Sequence, residues 1–180
     1  MGNKDKDRLY LAMDHRYSAP GYHWSLLYAP KDKKKAARDT TVVDDCVRFD
    51  LTNQHQEHGL RVGPWWYRKS DVNQFQNASL IARIMLAKFD SSSRNEVIAR
   101  LHALLERVTF TQEPAQTCRV WALDAIAVLE QNGLVKLKVK TRQEIQQRAI
   151  EFADHQMREM AARRLVIEDV ADIPVSDFRE

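Results

Sequence analysis

A chain of 180 residues that is 44% hydrophobic and carries a net charge of +3 has the material for one core and needs no metal or disulfide staple. So mild a basic excess argues against a nucleic-acid partner, and two cysteines, Cys46 and Cys118, are too few for a disulfide framework, which points to a reducing, cytoplasmic setting. No apolar run approaches the ~20 residues of a membrane span, the first residues offer no secretory leader, and Lys6 stands where a myristoylation signal wants Ser or Thr.

In chain order, Arg8 to Asp14 is a short apolar run ended by a Ser-Ala-Pro-Gly turn at residues 18–21, which reads as a first strand. A second strand runs from Tyr22 to Ala29, with Tyr22, Trp24, Leu26 and Tyr28 on one face and His23, Ser25 and Leu27 on the other. The lysine-rich run at residues 31–38 reads as a solvated loop. A third strand is predicted from Thr41 to Thr52, where Val47, Phe49 and Leu51 alternate with Cys46, Arg48 and Asp50. Residues 53–63 read as a polar loop, and Trp65-Trp-Tyr67 as a fourth, aromatic strand. Connections this short suit antiparallel hairpins.

The second half reads as helices. Leu80, Ile81, Ile84, Met85 and Ala87 form one amphipathic pattern, and Val97, Ile98, Leu101, Leu104, Leu105 and Val108 a cleaner one. After Pro114, Thr117 is placed to cap a helix with Cys118 in its first turn. Trp121, Ala122, Ala125, Ile126 and Leu129 are its buried stripe, and Asn132-Gly133 its stop. A long polar helix is predicted from Thr141 to Arg164, followed by an acid-rich, loose tail over residues 166–180. The expected fold is therefore α+β, one domain over residues 1–165, with a small antiparallel sheet packed against several helices.

Cys118 and His23 carry the most specific chemistry in the chain. A thiol of pKa ~8.5 is mostly protonated at neutral pH, but a helix start offers free N–H groups and a positive dipole end to the thiolate. A histidine can take the thiol proton, and a third polar group should hold its tautomer. Asp50, on the adjacent strand and on the polar side of its alternation, is the candidate orienter. Trp24, Trp65 and Trp66, with Thr117 at the cap, are the candidate substrate-binding residues. Against this stands the plainer reading, in which a cysteine at a helix start is a small buried residue and a histidine between aromatics is a packed ring. His55 and His58 lack the spacing of a metal motif and read as part of an exposed turn. No cofactor, metal or phosphate-binding loop is called for.

The strand Tyr22-His-Trp-Ser-Leu-Leu-Tyr resembles that of the lecithin–retinol acyltransferase-like group, circularly permuted relatives of papain-like enzymes. That resemblance implies a base histidine first, a polar orienter on the next strand and a nucleophilic cysteine last at a helix start. The matching positions are His23, Asp50 and Cys118. Two departures stand out: Thr117 precedes the cysteine where the group places Asn, and Asp50 stands where it usually has histidine. The chain is also similar to a family of small, largely uncharacterised fungal proteins with a Tyr-His-Trp strand and a Cys-Arg-x-Trp helix, over residues 8–135; that similarity implies no established activity.

The leading expectation is a cysteine hydrolase or acyltransferase acting on an amide, ester or thioester in a small molecule or peptide. Two others compete: a non-catalytic interaction module on the same scaffold, and a cyclase or isomerase using the cleft without a covalent intermediate.

Overall fold

Among the described residues, six strands form one sheet, in the spatial order Arg61–Val72, Cys46–His55, Tyr22–Ala29, Lys6–His15, Leu80–Asp90 and Val175–Asp177, and three helices pack on it. The computed structural model describes residues 6–17, 19–31, 45–55, 61–73, 79–112, 117–167 and 172–180. The strands are β1 (Lys6–His15), β2 (Tyr22–Ala29), β3 (Cys46–His55), β4 (Arg61–Val72), β5 (Leu80–Asp90) and β6 (Val175–Asp177). The helices are α1 (Arg94–Leu105), α2 (Cys118–Gln131) and α3 (Arg142–Ala161). The α+β expectation is met. The sheet is mixed, however, because β6 runs parallel to β5 while every other neighbouring pair is antiparallel.

The period-2 pattern of β2 sorts its two faces. Trp24, Leu26 and Tyr28 join Leu9, Leu11 and Met13 of β1, Phe49 and Leu51 of β3, and Ile84 and Leu86 of β5 on the helix-facing side. The stripe Trp121, Ala122, Ala125, Ile126 and Leu129 of α2 closes that core. At about 25 cal/mol per Å² of apolar surface removed from water, this is the main driving force of the fold. The opposite face is split. One part is a small apolar cluster of Tyr10, Ala12, Leu27, Ala29, Cys46, Leu80 and Ile173. The other is polar, with Arg48 ion-paired to Asp14 at 3.2 Å and Asp50 fully buried.

Two segments differ from the sequence reading. Leu80–Asp90 is a strand, not a helix. Over residues 80–87 both of its faces are buried, with Met85 only partly so, so its apolar residues run almost without interruption and the spacing of Leu80, Ile84 and Ala87 imitates a helical stripe. The end of the chain is not loose either. Val175–Asp177 pairs with Arg83–Met85, and Ile173 and Phe178 are 3% and 2% exposed. The acidic Glu180 is anchored to Lys136 and Lys140. Its acid-rich composition masked two apolar anchors.

The remaining elements follow local chemistry. β4 is longer than Trp65–Tyr67 and sits at the sheet edge, the position where Pro64 costs no ladder bond. Gln112 closes that edge by accepting from the Trp65 N–H and donating to its carbonyl, both at 2.8 Å. β3 begins at Cys46; residues 41–44 of the predicted strand and His58 lie outside the described residues.

Candidate active site

Gly21, at φ +80°, turns the chain into β2 in a conformation that favours glycine. Eight residues of β2 follow, yet β2 pairs with β3 only over Ser25–Tyr28. Tyr22, His23 and Trp24 thus extend beyond that ladder, and the start of α2 comes in beside them. Thr117, in extended conformation, caps α2 by accepting from the Val120 N–H at 3.4 Å. Cys118 is the first residue of the helix. This is the cap read from the sequence, and its tertiary effect is to deliver the sulfur to the end of β2.

There the Cys118 thiol and the His23 imidazole lie close enough to shift each other's ionisation, and the Trp24 backbone acts on the sulfur as well. On its far side, His23 Nε2 lies 2.8 Å from Asp50 Oδ2. With Nε2 engaged by the carboxylate, Nδ1 is the nitrogen left for the thiol. His23 keeps 23% of its side chain exposed, whereas that of Asp50 has none. Cys118, His23 and Asp50 are therefore brought together in one chain of contacts.

Arg68 completes the chain and was not legible in the sequence. It lies opposite Asp50 in the β3–β4 register. Its Nε donates to Asp50 Oδ1 at 3.0 Å and its Nη2 to Oδ2 at 2.7 Å. Such a bidentate pair is among the stronger charge-assisted contacts. The alternation Trp66, Arg68, Ser70 carried the one available signal, but only the register puts Arg68 across from Asp50.

Each ionisation is set by opposed causes. Burial pushes the Cys118 thiol up, but the His23 hydrogen bond and charge, the Trp24 backbone bond and the charge of Arg16 outweigh it and leave the thiol below its ordinary value. Burial pulls His23 down, yet Asp50 and Cys118 more than reverse this and push it up to about 9. Burial pushes Asp50 up, and the hydrogen bonds from His23 and Arg68 hold it down at about 2. All three shifts favour a thiolate, an imidazolium and a carboxylate in a row.

Cys118 itself is 4% exposed, but it lines a cavity of about 300 Å³. Tyr22 and Trp24 of β2, Thr117 and Arg119 of α2, and Ile150 and Asp154 of α3 form the walls. Arg16, Pro20 and Gly21, all exposed, form the rim and open it to solvent. Tyr22 donates its hydroxyl to Asp154 Oδ1 at 2.5 Å, tying β2 to α3 across the cavity. Burial, then Asp154, hold that phenol well above its ordinary range, so it stays protonated.

Of the predicted substrate-binding residues, Trp24 and Thr117 line the cavity. Trp65 and Trp66 do not. Trp65 packs partly buried against the helix-side core. Trp66 is 38% exposed, with the Arg68 guanidinium 6.0 Å from its ring centre. Alternation along β4 sends these two rings to opposite faces, so they could not both border one cleft. Arg16, Tyr22, Arg119 and Asp154 are wall residues that the sequence reading did not single out. Asp154 in particular stands 132 positions from Tyr22 in the chain. Cys46, by contrast, is buried in the small apolar cluster and donates to Asp45. Among the described residues no cluster of three or more His, Cys, Asp or Glu could hold a metal ion, and no helix is long and apolar enough to cross a membrane.

Over residues 6–175 the chain matches the model of a family of unknown function (DUF6914), and it belongs to that family. No curated protein and no solved structure matches it.

Proposed function

We propose that this protein is a thiol-dependent acyl enzyme, a hydrolase or acyltransferase with Cys118 as nucleophile, His23 as acid–base and Asp50 as orienter. The observation that carries the proposal is the unbroken contact line from the Cys118 sulfur through the His23 ring to Asp50. A merely packed cysteine has no use for an imidazole that is itself held by a buried carboxylate. The order base strand, orienter strand, nucleophile helix is also the order of the permuted papain-like enzymes, which supports this reading.

In the proposed reaction the thiolate attacks a carbonyl carbon, forming a C–S bond and a tetrahedral oxyanion. The first-turn amides of Cys118 and Arg119, which the helix geometry leaves without intrahelical acceptors, are placed to receive that oxyanion. The bond to the leaving nitrogen, oxygen or sulfur then breaks, and the His23 imidazolium gives that atom its proton. Water or another nucleophile attacks the thioester, returns a proton to His23 and releases the thiolate. Arg68 holds Asp50 ionised and fixed, so that Asp50 in turn fixes the ring.

The test is thiol labelling near neutral pH. Cys118 should be alkylated much faster than Cys46, and His23→Ala should slow Cys118 to the rate of an ordinary buried thiol. Equal and sluggish labelling of both cysteines would end the proposal.

A further inference from the structure

The cavity beside Cys118 is unevenly charged. Arg119 follows Cys118 in the first turn of α2 and lines the wall, and Arg16 stands at the rim. The Nε of Arg119 is buried without a hydrogen-bond partner among the described residues, so the protein does not engage all the donors of that guanidinium. The one acid among the described wall residues, Asp154, already accepts the Tyr22 hydroxyl. Arg158, one turn further along α3, adds a positive charge that acts on that same hydroxyl. The acid is thereby offset at its own end, while the charge of Arg16 acts on the sulfur and Arg119 lines the same cavity.

Resting on the thiol reading above, we infer that the cavity takes a short acyl compound bearing a carboxylate, received by Arg119 and Arg16 while its reactive carbonyl lies at Cys118. A guanidinium presents a planar fork of N–H donors that fits a carboxylate in two-point contact. The volume of about 300 Å³ stands at the small end of ligand cavities, which suits a short compound and not a long acyl chain. The carboxylate terminus of a peptide and a free small acid share this chemistry.

Iodoacetate and iodoacetamide test it, because they are alike in size and differ in bearing a carboxylate or a neutral amide. With either, the thiolate forms a C–S bond and iodide leaves. The full chain carrying Cys46→Ser, and a free small thiol as reference, are labelled with each reagent at neutral pH. The ratio of the iodoacetate rate to the iodoacetamide rate at Cys118 should exceed that of the free thiol by about tenfold, the worth of one charge-assisted contact. Arg119→Gln and Arg16→Gln should each lower the ratio severalfold, and Arg119→Lys should restore part of it. Arg16 is an exposed rim residue, so its variant tests the idea even if Arg119→Gln fails to fold. Inactivation by peptides or small acids carrying a haloacetyl group would then show which source of carboxylate fits better. A ratio equal to that of the free thiol, with both reagents fast, overturns the carboxylate inference and leaves the thiol reading standing. Slow labelling by both reagents takes down the thiol reading and this inference with it.

Discussion

Replacing Asp50 by Asn removes one negative charge from the innermost point of the site and tests the whole contact line. In the native protein His23 stands at about 9 against an ordinary 6.5, a difference worth about 3 kcal/mol at ~1.4 kcal/mol per tenfold. Burial works against that rise, and the Asp50 hydrogen bond is the largest contribution in its favour, followed by Cys118. Loss of Asp50 should lower the imidazolium and, with it, the neutral-pH thiolate population by up to about tenfold. The assay is the second-order iodoacetamide rate at Cys118 from pH 5 to 10, in a Cys46→Ser background. The native profile should rise at lower pH than that of a free thiol, because the Cys118 thiol is held below its ordinary value and His23 stays protonated up to about 9. The Asp50→Asn profile should fall by up to about tenfold at pH 7 and rejoin the native one at high pH, where the thiol ionises unaided. Stability should also drop, since Arg68 loses its partner; its side chain is 26% exposed, so the loss should fall below the 3–5 kcal/mol typical of a broken, fully buried pair. Superimposable pH profiles would refute the reasoning, because Asp50 would then not be what holds the proton on His23.

Two further outcomes follow from the same geometry. In the native protein the shifts of His23 and Cys118 act in opposite senses on the pH dependence of stability: His23 keeps its proton up to about 9, while the Cys118 thiol gives its proton up below its ordinary value. Cys118→Ala breaks that balance. A histidine with a raised folded value stabilises fully below 6.5 and loses that contribution as pH rises through the folded value. The unfolding free energy of Cys118→Ala from urea titration should therefore fall relative to that of the native protein as pH rises from 6.5 to 9, because Asp50 still holds the His23 proton; parallel curves would contradict it. Separately, Phe178→Ala should cost about 3 kcal/mol by urea unfolding, because Phe178 is 2% exposed and its ring lies 4.8 Å from the Arg148 guanidinium. A loss under about 1 kcal/mol, the range of a surface change, would mean that the end of the chain contributes nothing to the core.

Local chemistry made some of this legible in advance. Thr117 announces a helix because its hydroxyl can take an amide of the first turn, and that single fact puts Cys118 at a helix start. Alternation along Tyr22–Ala29 and Cys46–His55 places His23 and Asp50 on faces of adjacent strands. Where burial is two-sided the same logic fails. Leu80–Asp90 is buried on both faces over residues 80–87 and lost its alternation, and the terminal segment hides Ile173 and Phe178 among acids.

What the sequence determined by itself was each group's local setting: a thiol on a cap, an imidazole on a strand, a carboxylate on a polar face. Those settings depend on residues a few positions apart. The pairing of sulfur with imidazole, the Arg68 clamp on Asp50, and the Tyr22–Asp154 tie across the cavity depend on residues 18 to 132 positions apart. Nothing local encodes such distances. They are fixed by strand register and by the angle at which α2 meets the sheet, and both are set by how the whole core packs.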